Sequence, residues 1–286
     1  MINTDLYNEL ESRGVVQSSG NYCVIEYKKD LSVWPENAMA MYYAAQMGIR
    51  QRQLVVNLNN TACVIQSGAM QMMLGNIEAS TDVKGAGDFM KKLVSSKVTG
   101  ESAIKPKYSG VGQLVLEPTY KHILLENLDN WGGSLVIDDG LFLACDANVK
   151  IGVTARSNLS SAVLGGEGLF NTCLQGTGMV ALESPCARDE LITIDLQNDT
   201  VKIDGNMAIA WSNTLQFTVE KTTKTLIGSA ASGEGFVNVY RGTGRILMAP
   251  VGAIQAYSKS ATAAQTGSSS SGGKFVGSMI GGMLSN

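Results

Sequence analysis

The chain has 286 residues, with 22 Lys and Arg against 25 Asp and Glu, a net charge of -3, one His, five Cys and 32 Gly. Charged residues make up 16% of it, below the roughly 25% of an ordinary soluble domain, and the slightly acidic balance gives no electrostatic ground for binding phosphate backbones. A single His removes metal sites of the two- or three-His type and any mechanism that needs two imidazoles in one chain.

Residues 1–48 read as an N-terminal extension. Its first residues carry Asp5, Glu9 and Glu11 without a long apolar run, which argues against a secretory signal. Pro35 followed by an uninterrupted run to Met47 and then Gly48 predicts a short helix over 35–47. Met39, Met41, Tyr42, Tyr43 and Met47 on it suggest either a partner surface, since Met-rich faces repack readily, or simply a helix capping one end of a larger core.

From 49 to 257 the chain repeats. The segments 100–118, 166–184 and 233–250 share the pairs Gly110/Gly112, Gly176/Gly178 and Gly242/Gly244, spaced by 66 residues both times. Glu101, Glu167 and Glu234 precede these pairs at spacings of 66 and 67. A second kind of segment alternates with the first: 136–153 aligns without gaps onto 202–219, pairing Asp138 with Asp204, and 64–80 is a looser relative. The first unit is about six residues longer, and 85–96 in it reads as a small inserted helix. Short runs of alternating apolar residues, such as Leu114 and Leu116 or Leu215, Phe217 and Val219, mean antiparallel strands. The fold class that follows is an all-β core of three pseudo-repeats. Because exposed strand edges invite aggregation, segment 233–250 is expected to pack against 64–80 and close a pseudo-threefold body.

Residues 258–273 are a Ser/Gly linker by composition. The apolar tail 274–286 follows, with Gly273, Gly277 and Gly281 spaced by four and Phe275, Met279 and Met283 on one helical face. That spacing lets helices approach closely, so the tail is a candidate for self-association or shallow membrane contact. It is too short to span a bilayer, as is every other apolar run in the chain.

The candidate chemistry is sparse. The glycine pairs run straight into β segments rather than into a helix, so they read as structural turn glycines and not as a dinucleotide fingerprint. Threefold closure would place Glu101, Glu167 and Glu234 equivalently as an acidic ring or cation site, whereas turn chemistry accounts for each carboxylate singly. Asp138 and Asp204 read as turn heads for the same reason. His122 has no activated Ser or Cys signalled nearby. Tyr108 and the Tyr240–Arg241 pair are the nearest approach to a base-stacking platform. The cysteines at 23, 63, 145, 173 and 186 form no C-x-x-C pair and fit reduced thiols.

The segments 67–78 (SGAMQMMLGNIE), 100–102 (GES) and 165–184 (GGEGLFNTCLQGTGMVALES) resemble the mitochondrial-biogenesis family named for altered inheritance of mitochondria, in its bacterial form. The resemblance implies three repeats, each similar to a subunit of the tryptophan RNA-binding attenuation protein, within the double-stranded β-helix and β-sandwich group. It carries no catalytic residues and no cofactor. The expected function is therefore a non-enzymatic scaffold, cytoplasmic or peripheral to a membrane, that works through protein partners or homo-oligomeric assembly. The alternatives are a small-ligand or nucleic-acid binding module and a membrane-peripheral protein.

Overall fold

In the computed structural model the described residues are 2, 4–29, 32–81, 105–155, 170–205, 207–221 and 236–250. A hairpin of β1 (Arg13–Ser19) and β2 (Tyr22–Tyr27) precedes a 3-10 turn at Pro35–Asn37 and the helix α1 (Ala38–Gln46). The first unit contributes β3 (Arg52–Ile65), β4 (Met70–Ser80) and β5 (Lys107–Leu116). In the second unit the same three lengths are each broken in two, as β6 (His122–Asn127), β7 (Ser134–Ile137), β8 (Phe142–Asp146), β9 (Lys150–Ala155), β10 (Phe170–Gln175) and β11 (Met179–Ser184). The third unit has β12 (Ile192–Asp204), β13 (Ala208–Ser212), β14 (Gln216–Lys221) and β15 (Phe236–Met248). Phe142 and Ala208, Lys150 and Gln216, and Phe170 and Phe236 begin equivalent strands at the 66-residue spacing of the sequence repeat.

The strands form two antiparallel sheets. One runs β1-β2-β3-β8-β11-β6, with β5 on β3 and β4 on β5; the other runs β12-β15-β13-β7-β10-β9, with β14 on β15. The first unit lies wholly in one sheet and the third wholly in the other, while the middle unit is divided between them. A bend recurs in every unit, inside a continuous strand in the outer units but between β6 and β7 in the middle one. Asn60 (φ 52), Gly132 (φ 66) and Asn198 (φ 52) occupy the same repeat position and are left-handed, a conformation that Asn and Gly tolerate. In the outer units the glycine pairs stand across from these kinks, with Thr61 opposite Gly110 and Asp199 opposite Gly242, so two facing strands turn together. Glycine is required on the other side of β5, where it comes closest to β4. A Cβ on Gly110 (φ 138) would collide with the carbonyl oxygen of Asn76, and one on Gly112 (φ 153) with that of Leu74. In the middle unit Gly176 and Gly178 fall between β10 and β11, where the chain passes from one sheet to the other.

Alternation along the strands builds the core. Tyr22, Leu54, Ile65, Leu114, Leu116 and Leu143 pack in one cluster within the first sheet. In the second, Val136, Ile246 and Leu196 surround an aromatic group in which Trp211 stacks on Phe217 at 5.6 Å and meets Tyr240 edge-on at 5.4 Å. Such ring pairs add about 0.5–1.5 kcal/mol beyond the area they bury.

Two features differ from the sequence expectation. Segment 233–250 does not pair with 64–80: among the described strands β15 meets β12, β13 and β14, and β4 meets β5. β15 is flanked on both sides by strands of its own unit, whereas β4 pairs on one side only, with β5, so among the described strands no ladder joins the ends. The extension 1–48 also contributes structure that the sequence did not announce, since β2 pairs along the first residues of β3, from Tyr22 opposite Val56 to Glu26 opposite Arg52. The inserted helix expected at 85–96 lies outside the described residues, as do the linker and tail at 258–286.

Candidate functional site

The surface that stands apart from the folded core is α1. Pro35 sets the entry into the first turn, and the Ala- and Met-rich run that follows favours helix. Gly48 (φ 78) ends it: its N–H donates to Ala45 O at 3.1 Å and the N–H of Ile49 to Ala44 O at 3.0 Å, a Schellman closure that needs a left-handed residue. No residue of α1 is buried. Met41, Ala44 and Ala45 face inward and are half-buried, whereas Trp34 is 75% exposed and Met47 81%, with Met39, Tyr42 and Tyr43 also exposed. Isolated helices shorter than about 12–15 residues are marginal in water, so a nine-residue helix with no buried side chain draws little stability from the rest of the fold.

Beneath α1 runs a groove of about 430 Å³, walled by Tyr27, Val33, Met41, Tyr42, Ile49 and Tyr120 among others. Cations at its rim are paired. Lys28 binds Glu9 and Lys29 binds Glu11, while Glu26 accepts from Arg50 at 3.5 Å and from Arg52 at 2.8 Å. The rim therefore carries little unbalanced charge, and what it presents is apolar and aromatic surface. Deeper in, a polar chain fixes the floor: Tyr27 donates to Gln53 Oε1 at 2.7 Å, and Gln53 Nε2 donates to Leu116 O at 2.7 Å and Gln71 Oε1 at 2.6 Å.

The residues singled out from sequence fall elsewhere. Glu101, Glu167 and Glu234 lie outside the described residues, as do Gly273, Phe275, Gly277, Met279, Gly281 and Met283. Gly178 sits beside Asp146, whose Oδ2 accepts from the Met179 N–H at 2.8 Å and would lie 2.7 Å from an added Cβ. Gly244 packs against Ser212 and Leu215 in the same way. Asp138 accepts from Asn171 at 3.4 Å.

Tyr108 and Tyr240 are buried in the two cores, so neither can present a face to a nucleic-acid base. Arg241 is held by Glu220 at 2.6 Å and Thr218 at 3.0 Å. His122 is half-buried at the start of β6, and burial, reinforced by the Arg52 charge, lowers its pKa. All five cysteines are buried free thiols. Burial, with Asp146 close by, pushes the Cys63 thiol up to about 12, and burial raises Cys145 and Cys186 as well. Thiols held protonated in this way are poor nucleophiles. Among the described residues no three His, Cys, Asp or Glu side chains gather as a metal-binding group. None of the described helices is long and apolar enough to cross a membrane.

The sequence had marked the methionines and tyrosines of α1 as a surface of either kind. Exposure was not legible, because Ala and Met at helical spacing read equally well as core. Val33, Ile49 and Tyr120, which complete the groove, carried no local signal at all.

Comparison with known proteins agrees with this architecture. An uncharacterized protein of Streptococcus pyogenes serotype M6 is 30% identical over 189 residues, covering 64% of this chain and 74% of its own length. The crystal structure of a Streptococcus pyogenes protein matches with a TM-score of 0.55 at 25% identity, covering 75% of this chain and 94% of that one. The model of the mitochondrial biogenesis AIM24 family matches residues 43–251, and the chain belongs to that family.

Proposed function

We propose that the chain is a non-enzymatic β-scaffold that docks a protein partner on α1 and the groove beneath it. The observation that carries this reading is the helix itself: nine residues with none buried, Met39 and Tyr43 exposed among them, and exposed Trp34 and Met47 on either side. Aromatic and Met side chains of this kind supply most of the energy in protein interfaces, and their exposure in the free chain otherwise carries a solvation cost. Tyr27, at the end of β2, lines the groove with its hydroxyl held by Gln53, so that wall is ordered before the partner arrives.

A photo-crosslinking side chain placed at Tyr43 in living cells tests the reading. The expected result is one discrete protein adduct, abolished when Trp34 and Met39 are both changed to Ser in the same chain. A crosslinker that yields no protein adduct, or adducts insensitive to those changes, overturns it.

The groove's volume favours a second reading, since about 300 Å³ is where small-ligand sites begin. Quenching of Trp34 fluorescence by a small apolar ligand, with competition by the partner, would favour it. The scaffold's placement in the cytoplasm, and membrane contact through 274–286, belong to the same proposal.

A further inference from the structure

The two junctions between units are one contact made twice. At the first, Cys63, Val64 and Ile65 of β3 pair with Asp146, Cys145 and Ala144 of β8. At the second, Leu135, Val136 and Ile137 of β7 pair with Ser212, Trp211 and Ala210 of β13. The flanking backbone bonds repeat as well. Gln66 N donates to Leu143 O at 2.8 Å where Asp138 N donates to Ile209 O at 2.9 Å. Ala147 N donates to Ala62 O at 3.0 Å where Asn213 N donates to Ser134 O at 3.1 Å. Val64 and Ile65 recur as Val136 and Ile137, and Ala144 as Ala210, whereas Cys63, Cys145 and Asp146 are replaced by Leu135, Trp211 and Ser212, so the register survives large changes of size and polarity and the backbone carries it.

Carried one unit forward, the donor side of this junction falls on Val201, Lys202 and Ile203 of β12. Carried one unit back, the receiving side falls on Leu74, Met73 and Met72 of β4. Both edges are open among the described strands, because β12 meets only β15 and β4 meets only β5. Burial tells the same story. Phe142 to Cys145 and Ala208 to Ser212, which fill the receiving position at the two made junctions, are all buried. On β4 the equivalent run alternates between half-buried and exposed, with Met73 40% exposed. An open edge presents a row of backbone donors and acceptors ready to pair with another strand.

We propose that β4 of one copy receives β12 of a second copy, with Val201 opposite Leu74, Lys202 opposite Met73 and Ile203 opposite Met72, so that copies add head to tail. In this register Lys202 and Met73 exchange both backbone bonds, Asp204 N donates to Gln71 O and Gly75 N donates to Thr200 O. The partner is thus a second copy of this chain, and the contact is heterologous, closing into a ring if the rotation per copy allows. The proposal shares with the scaffold reading the idea of association but uses a different surface, so the two can fail separately.

The test uses full-length Leu74→Cys and Val201→Cys variants, which meet in a non-hydrogen-bonded pair close enough for a disulfide. The natural thiols are all buried and leave a low background. Mild oxidation of an equimolar mixture should give a disulfide-linked dimer that neither variant forms alone. No dimer from the mixture overturns the proposal. So does a double variant that locks as a single chain, which would mean that the edges close within one molecule. Lys202→Pro removes an outward N–H while sparing the β15 ladder, and light scattering should then show the oligomer reduced to single chains with circular dichroism unchanged. An oligomer that survives Lys202→Pro overturns this edge and leaves the docking role of α1 untouched.

Discussion

Leu54 and Ile192 occupy the same place in the first and third units, yet Leu54 is fully buried while Ile192 is 44% exposed. The repeat alone cannot account for that difference. Leu54 is covered because β2 pairs along it, with Val24 directly opposite, and no described strand does the same for the start of β12. Units that look interchangeable in sequence therefore have unequal surroundings. The segment outside the repeat decides which end of the array is sealed, much as terminal caps seal solenoid proteins.

The comparison can be broken most forcefully at those two residues. Leu54→Ala should cost about 2–5 kcal/mol in denaturant unfolding, whereas Ile192→Ala should cost less than about 1 kcal/mol. Equal losses would mean that both ends are buried alike. Gly112→Ala should come next, at about 1–3 kcal/mol, because the added methyl meets the carbonyl of Leu74 in a backbone conformation that Ala resists. Gly205→Ala, left-handed but in open space, should lose about 1 kcal/mol from conformation alone and so separates collision from strain.

The smallest effect concerns pH. His122 stands where the outer units have Arg50 and Arg188. Its pKa is depressed in the folded chain below the ordinary 6.5, chiefly by burial. The unfolded chain therefore takes up the proton first, and stability present above about 6.5 should decline as the pH falls below it. His122→Gln should flatten the unfolding midpoint across that window, and an unchanged pH slope would rule out this origin.

The repeat was legible because its markers are residues that backbone geometry demands. Glycine pairs recur where strands cross, and the 66-residue offset placed equivalent strand starts to the residue. The left-handed Asn60 and Asn198 follow the same spacing and could have been found with it. The hairpin was not legible: RGVVQSS in β1 has neither a clear alternation nor a turn signature stronger than Gly20. Closure was misread for a physical reason. A repeated pattern shows which edges are equivalent but not whether the angle between units brings the last one back to the first. The helix α1 was legible from Pro35 and Gly48, whereas its exposure depends on what the rest of the fold places against it, which local pattern does not encode.

The division of the middle unit between two sheets bears on how the chain reaches this state. Neither sheet can be completed until residues far apart in sequence have met: β3 of the first unit pairs with β8 of the second, and β7 of the second with β13 of the third. Excising any one unit would strip strands from a shared sheet, so 49–257 should melt in one transition rather than unit by unit. A topology so rich in distant pairings also predicts slow refolding, on the order of milliseconds to seconds or longer. During that interval the incomplete edges stand open, and the rate at which they are covered, more than the stability of the finished sheets, sets how concentrated the protein can be while it folds.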